Sequence, residues 1–213
     1  MEVLSLKLFD LDGTLLDSNG VWLEVDHTFL GKHGLPVTQE YMHTVGHSIF
    51  PVAAQFTRDY YGLDLSCEAI MAEWLSLARE AYEHHVPLKP GAQAYLEHCK
   101  ARGERMALLT ACVPELCHAA LTRHSLHSYF ENIIFVQEMG LEKRDPEVYR
   151  RAASMLSLSP ADCTLYEDGP GNCAAARSVG MHVVGVCDPF YGFSQEEVRR
   201  NCDRYILSFE ELL

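Results

Sequence analysis

Five short apolar runs constrain the fold of this 213-residue chain more than any other feature of its sequence. They span Leu4–Phe9, Arg105–Thr110, Ile133–Val136, Thr164–Tyr166 and His182–Val186. Helical patterns lie between most of them, and buried strands that alternate with helices are typical of a parallel sheet covered on both faces. The sequence therefore predicts an α/β fold built on a parallel sheet.

Four helices are predicted in the second half of the chain, and their ends carry recognisable signals. They span Gly91–Arg102, Pro114–His124, Pro146–Met155 and Asn172–Val179. Two of them open with a proline, whose missing N–H costs little in a first turn. The other two are followed directly by a glycine, which is typical of a helix C-terminus.

The stretch after the first strand has a different character. Between residues 18 and 87 no strand pattern occurs, and four helices are predicted instead: Val21–His33, Gln39–Val45, Val52–Tyr61 and Cys67–His84. The stiff segment Pro87–Gly91 then leads back to the strand-and-helix pattern. We therefore expect a catalytic core made of residues 1–17 and 88–213, with a helical domain of residues 18–87 inserted into it.

Asp10 and Asp12 follow the first apolar run directly, two positions apart, and are succeeded by Gly13 and Thr14. Carboxylates at this spacing face the same side of a strand end. Like charges that close disfavour joint ionisation unless a cation or a shared proton intervenes. The pair therefore indicates either a metal site or a nucleophile with an acid/base partner.

Other polar side chains are expected at the same edge of the sheet. In open parallel sheets, ligands bind beyond the carboxyl ends of the strands. The second predicted strand ends in Thr110, and Glu167 and Asp168 follow the fourth. Lys143 precedes the helix that begins at Pro146. We expect one cleft that contains carboxylates, a hydroxyl and an ammonium group.

Each of these positions also has a purely structural interpretation. Asp-Gly is common turn chemistry, so Asp12 and Gly13 can form an ordinary turn. Glu167 and Asp168 can favour the dipole of the helix that follows them. Lys143 can be a solvated lysine in a charged run.

Four motifs in order show a specific resemblance. They are FDLDGT (Phe9–Thr14), LLTA (Leu108–Ala111), the lysine of EKRDPEVY (Lys143) and YEDGPGNCAAARSVGM (Tyr166–Met181). Together with the helical insert after the first motif, they make the chain resemble the haloacid dehalogenase superfamily, in the subgroup with a helical cap. The resemblance covers essentially the whole chain and implies a Rossmann-like parallel sheet with an inserted α-helical cap domain.

The resemblance implies phosphoryl transfer through a covalent aspartyl-phosphate. Asp10 would be the nucleophile and a metal ligand through its carboxylate. Asp12 would be the general acid/base and bind the metal through its backbone carbonyl. Asp168, together with Glu167, would complete the protein's share of a Mg²⁺ shell.

The chemistry of phosphoryl transfer calls for the same residue types. A carboxylate that attacks a phosphate dianion meets charge repulsion, so catalysis depends on positioning and neutralisation. Mg²⁺ prefers oxygen ligands. On the resemblance, Lys143 would hold the phosphate against the nucleophile, while Thr110 and the backbone N–H of Ala111 would donate to phosphoryl oxygens.

Three positions in the insert are substrate-binding candidates. Asn19 and Trp22 lie where the insert leaves the core, and His47 opens a helical segment whose N–H groups can meet an anion. A single histidine or tryptophan in such a place also packs in many proteins without any contact to a ligand. Both interpretations remain open for each residue.

Comparison with the branches of the superfamily reduces the number of activities that the resemblance allows. The dehalogenating branch lacks an acid/base aspartate at the position of Asp12. In the beta-phosphoglucomutase branch we would expect a cap histidine at the position of Trp22 and an arginine near Ile49 that holds a second phosphate. This chain has neither. The phosphonoacetaldehyde hydrolase branch needs a cap lysine, and the insert contains only Lys32 before Pro87.

We therefore expect a Mg²⁺-dependent hydrolase of small phosphate esters. One alternative is a phosphomutase of the beta-phosphoglucomutase type. Another is a non-catalytic protein that binds a phosphorylated ligand and regulates a partner. The complete set of charged and polar residues at the strand ends favours the enzyme over the regulator.

Composition sets further limits on partners and location. The net charge of −13 argues against nucleic acid and anionic membranes as partners, because both reward clustered Lys and Arg. The eight cysteines form no C-x-x-C pair and no disulfide framework, and no signal peptide or membrane-spanning run is visible. We expect a cytoplasmic protein, either a monomer or a small homo-oligomer.

Overall fold

The computed structural model describes residues 5–45, 50–191 and 195–213. The chain divides into two compact units. One is formed by Met1–Ser18 together with Val86–Leu213, and the other by Asn19–His85.

The first unit is organised around a sheet in which all described strand pairs are parallel. Its strands are β1 (Leu6–Phe9), β2 (Arg105–Thr110), β3 (Asn132–Phe135), β4 (Cys163–Glu167), β5 (His182–Val186) and β6 (Arg204–Ile206). Their order is β3-β2-β1-β4-β5-β6. This arrangement confirms the predicted α/β fold with a Rossmann-like parallel sheet, and it places β1 in the interior between β2 and β4.

The second unit consists of helices in its described residues. They are α1 (Val21–Lys32), α2 (Gln39–Val45), α3 (Phe50–Tyr61) and α4 (Cys67–His84). Buried apolar residues recur along α4 at Ile70, Trp74, Ala78 and Tyr82, which is the spacing of an amphipathic helix. Ser66 caps this helix by accepting a hydrogen bond from the N–H of Ala69 at 3.1 Å.

Five helices complete the described part of the first unit. They are α5 (Ala92–Ala101), α6 (Pro114–Arg123), α7 (Pro146–Met155), α8 (Pro170–Ser178) and α9 (Gln195–Arg200). Leu6 and Leu8 of β1 pack in one core cluster with buried residues of α7 and α8. The Phe9 side chain lies on the opposite face of the sheet, where its ring stacks on that of Tyr166 with centroids 4.5 Å apart. Both faces of the central strand are therefore buried.

Several element boundaries differ from those predicted. Val136 begins a short 3₁₀ helix instead of ending β3. Helix α8 begins two residues earlier than predicted, because Pro170 occupies a first-turn position where no N–H is needed. The short strand β6 and helix α9 were not predicted, since neither has an apolar run. The predicted start of the first strand, Leu4, lies outside the described residues.

The segments that lead out of the first unit and back into it run side by side. The N–H of Asp17 donates to the carbonyl of Pro87 at 3.0 Å, and the N–H of Lys89 donates to that of Leu15 at 2.8 Å. The Lys89 ammonium is buried and forms an ion pair at 2.9 Å with Asp188, which follows β5. These bonds fix both linker segments to the sheet.

Gly91, where the returning linker enters α5, is required by its backbone and its surroundings. Its φ is +76°, in the left-handed region that side chains disfavour, and an added Cβ would lie 2.5 Å from the backbone nitrogen of Glu210.

No helix within residues 5–45, 50–191 and 195–213 combines the length and the apolar character that a membrane crossing requires.

A buried polar network joins three helices of the second unit. The Tyr41 hydroxyl of α2 donates to the Asp26 carboxylate of α1 at 2.8 Å and lies 3.1 Å from the Thr57 hydroxyl of α3. Burial raises the pKa of Asp26 to about 6, although the hydrogen bond from Tyr41 and the nearby His27 act in the opposite direction. The helical unit therefore contains a carboxyl group that is costly to ionise.

We predict that Asp26→Asn stabilises the second unit at about pH 8 by a few degrees in unfolding midpoint, with little effect at about pH 3.5. The pKa of Asp26 is raised from 3.8 to about 6 in the folded chain, so stability is fully present below the unfolded value and is lost as the pH rises from there through the folded value. Asparagine keeps an oxygen that can accept from Tyr41.

Tryptophan fluorescence reports this transition, because both tryptophans, Trp22 and Trp74, belong to this unit. The exposed Asp64 supplies the control, and Asp64→Asn should leave the midpoint unchanged at both pH values. A midpoint of Asp26→Asn that shows no pH-dependent gain would contradict the prediction.

Candidate active site

The carboxyl ends of β1, β2 and β4 meet at one edge of the sheet. Phe9, the last residue of β1, is paired with Leu108 on one side and Tyr166 on the other. The N–H of Asp10 donates to the carbonyl of Tyr166 at 3.0 Å, so the ladder to β4 continues one residue beyond the strand. This register places Asp10 beside the end of β4.

Asp10 is buried, with only 4% of its surface exposed, and each of its carboxylate oxygens has a partner. Oδ1 accepts a hydrogen bond from the Lys143 ammonium, and Oδ2 lies 3.0 Å from the Thr14 hydroxyl. The same hydroxyl lies 3.2 Å from Oδ1 of Asp168. Thr14 therefore connects two carboxylates that come from different strand ends.

Lys143 is buried and forms ion pairs, so the solvated-lysine interpretation is wrong. Besides Asp10, its Nζ contacts Oε2 of Glu167 at 2.9 Å. The other oxygen of Glu167 accepts the N–H groups of Gly169 at 2.9 Å and Asp168 at 3.2 Å. Glu167 is thus anchored at the start of α8 while it holds the ammonium.

The crowding of three carboxylates shifts their protonation. Burial raises the pKa of Asp10 to about 7, the Glu167 charge adds to this, and Lys143 opposes it. Burial, Glu167 and Asp10 likewise raise the pKa of Asp168 well above its usual range. Burial also disfavours the charge of Glu167, but Lys143 and the nearby N–H groups outweigh it and hold the pKa of Glu167 below its usual value. One ammonium therefore does not compensate all three charges.

The three carboxylates form a candidate metal site. Asp10, Glu167 and Asp168 each offer one oxygen, and these oxygens all lie within 4.8 Å of one another. Hard divalent cations such as Mg²⁺ prefer carboxylate oxygens. A cation bound by these oxygens would favour the ionised forms of Asp10 and Asp168, whose pKa values are raised by burial and by the neighbouring carboxylates.

Asp12 occupies a different environment. It is half-buried, and its Oδ1 accepts a hydrogen bond from the Ser18 hydroxyl at 2.7 Å. Ser18 is buried and is the last residue of the first unit before the insert. The Asp12 carboxylate is therefore oriented by a residue of the outgoing linker.

Thr110 and Ala111 lie at the end of β2. The Thr110 hydroxyl is buried, and its oxygen accepts the N–H of Cys112 at 2.9 Å, which leaves the hydroxyl proton to donate elsewhere. The carbonyl of Ala111 accepts a hydrogen bond from the Gln137 side chain at 3.0 Å. The loop after β2 is thus fixed at both positions.

The candidates from the insert belong to the second unit. Asn19 is half-buried. Trp22 packs edge-on against Phe50, with ring centroids 5.6 Å apart, and Phe50 packs against Trp74 in the same way. His47 lies outside the described residues. The packing interpretation of Trp22 thus has direct contacts in its favour, and substrate contact by these three residues stays a prediction.

Three supporting residues were not identified from the sequence. Thr14 belongs to the FDLDGT motif, so its position next to Asp10 was a usable signal. Ser18, six residues after Asp12, and Gln137, on a 3₁₀ turn after β3, carry no local signal. Their contacts depend on how the loops fold back.

A family model described as haloacid dehalogenase-like hydrolase matches residues 7–186 of the chain. This range contains every strand-end residue described above.

Curated relatives align over most of the chain. The chain is 28% identical over 188 residues to a Drosophila melanogaster protein named probable pseudouridine-5'-phosphatase, with 85% of this chain and 81% of the relative covered. It is also 28% identical over 185 residues to hexitol phosphatase A of Escherichia coli (strain K12), with 85% and 82% covered.

A solved structure shares the fold. A protein from Haemophilus somnus 129pt, described as a predicted phosphoglycolate phosphatase, superposes with a TM-score of 0.80 over 100% of this chain and 97% of its own, at 20% identity. The family match covers more than half of the chain, including the strand ends described above. The chain therefore belongs to the haloacid dehalogenase-like hydrolase family.

Proposed function

We propose that the chain is a Mg²⁺-dependent phosphatase that hydrolyses small phosphorylated metabolites through an aspartyl-phosphate formed on Asp10. The observation that carries the proposal is the Lys143 ammonium, which joins Asp10 and Glu167 in one buried cluster. A buried nucleophilic carboxylate paired with a fixed cation suits attack on an anionic phosphate ester, which depends on positioning and charge neutralisation.

In this mechanism Asp10 attacks phosphorus and the ester oxygen leaves. Lys143 holds the attacking carboxylate and reduces its repulsion of the phosphate. The Thr110 hydroxyl and the N–H of Ala111 donate to phosphoryl oxygens. Their supporting bonds, to Cys112 and Gln137, hold both groups in place before the substrate arrives.

Asp12 moves the protons. Protonated Asp12 donates to the leaving oxygen in the first displacement. Its carboxylate then removes a proton from the water that attacks the aspartyl-phosphate, which releases phosphate and regenerates both aspartates. The Ser18 hydrogen bond supports this role by orienting the carboxylate.

The donor set fits Mg²⁺. Asp10 and Asp168 would hold the ion with carboxylate oxygens, Asp12 would add its backbone carbonyl, and Glu167 is close enough to take part. When bound, the ion supplies positive charge that neutralises the reacting phosphoryl group. Glu167 already accepts three hydrogen bonds, so its main task is to hold Lys143.

Small phosphate esters are the substrate class that the relatives support, since two of them are named pseudouridine-5'-phosphatase and hexitol phosphatase. Asn19, Trp22 and His47 are proposed to select among such esters. The expectations of a cytoplasmic location, of a monomer or small homo-oligomer, and of no nucleic-acid or membrane partner stay predictions.

The proposal predicts that Asp10→Asn abolishes hydrolysis of a generic aryl phosphate, with a loss of at least ~1,000-fold in kcat, because the amide is not nucleophilic. The variant should remain folded, since it removes one charge from a crowded cluster. The Asp64→Asn variant, changed at an exposed position, should keep full activity. An Asp10→Asn protein with wild-type turnover would disprove the mechanism.

Mg²⁺ is expected to stabilise the protein more at about pH 8 than at about pH 5.5. The pKa values of Asp10 and Asp168 are raised above their unfolded values, so ionisation removes stability as the pH rises through 7, and a bound cation restores it. The measurement is the unfolding midpoint with Mg²⁺ or with a chelator at both pH values. Equal shifts at both would argue against a metal site at these carboxylates.

Ser18→Ala should lower kcat about 5- to 20-fold with little change in KM, because it releases a carboxylate that acts only in proton transfer. Steady-state kinetics with the aryl phosphate measures both constants. A change confined to KM would show that Ser18 serves substrate binding instead of Asp12.

A further inference from the structure

Lys89 is a buried residue of the returning linker, residues 87–91, and the mechanism above makes no use of it. Its Nζ forms an ion pair at 2.9 Å with Oδ2 of Asp188, which follows β5, and lies 3.4 Å from Oδ1 of Asp17 in the outgoing linker, residues 15–18. The side chains of Lys89 and Asp188 are 6% and 2% exposed, whereas that of Asp17 is 59% exposed. One ammonium therefore connects the end of a strand to both linkers.

Stability alone does not account for a buried pair of this kind. Moving two charges out of water costs free energy that their attraction does not always recover, and apolar residues of similar volume often replace such a pair without loss of stability. Asp188 is itself fixed by its own loop, because its Oδ1 accepts the N–H of Phe190 at 2.7 Å and its carbonyl accepts from the Gln195 side chain at 3.0 Å. The pair thus gives the Lys89 ammonium a fixed position.

The backbone of Lys89 is bonded to the outgoing linker as well. Its N–H donates to the carbonyl of Leu15 at 2.8 Å, and the N–H of Asp17 donates to the carbonyl of Pro87 at 3.0 Å. These two bonds and the side-chain contact to Asp17 act on the same short stretch of chain. The position of the outgoing linker therefore depends on the position of Lys89.

Ser18 is the next residue of this linker, and its hydroxyl donates to Oδ1 of Asp12 at 2.7 Å. The N–H of Gly13 donates to the carbonyl of Leu16 at 2.9 Å and closes the turn between the two residues. A hydrogen bond weakens when its donor is displaced or misaligned. Any movement of the outgoing linker therefore loosens the hold of Ser18 on the Asp12 carboxylate.

We propose that Lys89 is a positioning residue for Asp12. Held by Asp188, it fixes the outgoing linker at Asp17 and so keeps the Ser18 hydroxyl where it orients the Asp12 carboxylate. This inference rests on the proposed function, because it concerns the residue proposed to transfer protons. It gives Lys89 an effect on turnover without any contact to the substrate.

The first test separates positioning from stability with two variants. Lys89→Met should lower kcat about 3- to 10-fold with little change in KM, and it should lower the unfolding midpoint because it leaves the Asp188 charge buried without its partner. In the double variant Lys89→Met/Asp188→Asn no such charge remains, and asparagine keeps an acceptor for the N–H of Phe190. The midpoint should then return towards that of the wild type, while kcat stays low.

Arg105→Met is the control for loss of a paired cation. Arg105 begins β2, at the edge of the sheet opposite to the candidate active site, and it pairs with Glu131 at 2.6 Å. This variant should lower the midpoint slightly and leave kcat unchanged. If kcat of the Lys89→Met/Asp188→Asn variant instead recovers together with its midpoint, the role of Lys89 is only structural and the inference is overturned.

The second test asks whether Lys89 acts through Ser18. When Ser18→Ala is combined with Lys89→Met/Asp188→Asn, kcat should fall little below that of Ser18→Ala alone, whereas independent roles would multiply the two losses. Multiplied losses overturn the inference and leave the proposed function intact. A wild-type protein that hydrolyses no phosphate ester would instead disprove the proposed function, and the inference would fall with it.

Discussion

The candidate active site depends on one interaction, the ion pairs that the buried Lys143 ammonium forms with Asp10 and Glu167. It brings Asp10 from β1 and Glu167 from β4 to a common cation in a space that also contains Asp168. Three carboxylates share one ammonium, and burial, together with the neighbouring carboxylates, raises the pKa values of Asp10 and Asp168. A divalent cation and an electrophilic phosphorus are the chemical partners that such a cluster accommodates.

The sheet makes this cluster possible. Because β1 lies between β2 and β4, the Asp10 carboxylate is placed next to residues that come about a hundred and more positions later. The linker bonds of Asp17, Pro87 and Lys89 then let a helical unit be inserted without disturbing the register of β1. Ser18 belongs to the same linker and orients Asp12, so the orientation of the residue proposed to transfer protons depends on where the chain leaves the sheet.

Much of this was predictable from the sequence because strand ends in a parallel sheet converge. Asp10, Thr110 and Glu167 each follow a strongly apolar run, and the helix over Pro146–Met155 was predicted with its observed bounds. Strand β6, which begins with Arg204, was missed because a short edge strand needs no apolar run. The hydrogen bond from Ser18 to Asp12 was also beyond reach, since it depends on how the loop between them folds back.

The central claim is that Asp10 forms a covalent bond to phosphorus during turnover. The most direct measurement is the stereochemical course of hydrolysis, using a thiophosphate ester made chiral at phosphorus with sulfur and two oxygen isotopes, hydrolysed in water that carries the third isotope. Two successive displacements, first by Asp10 and then by water, predict net retention of configuration at phosphorus. Net inversion would show direct attack by water and would contradict the account.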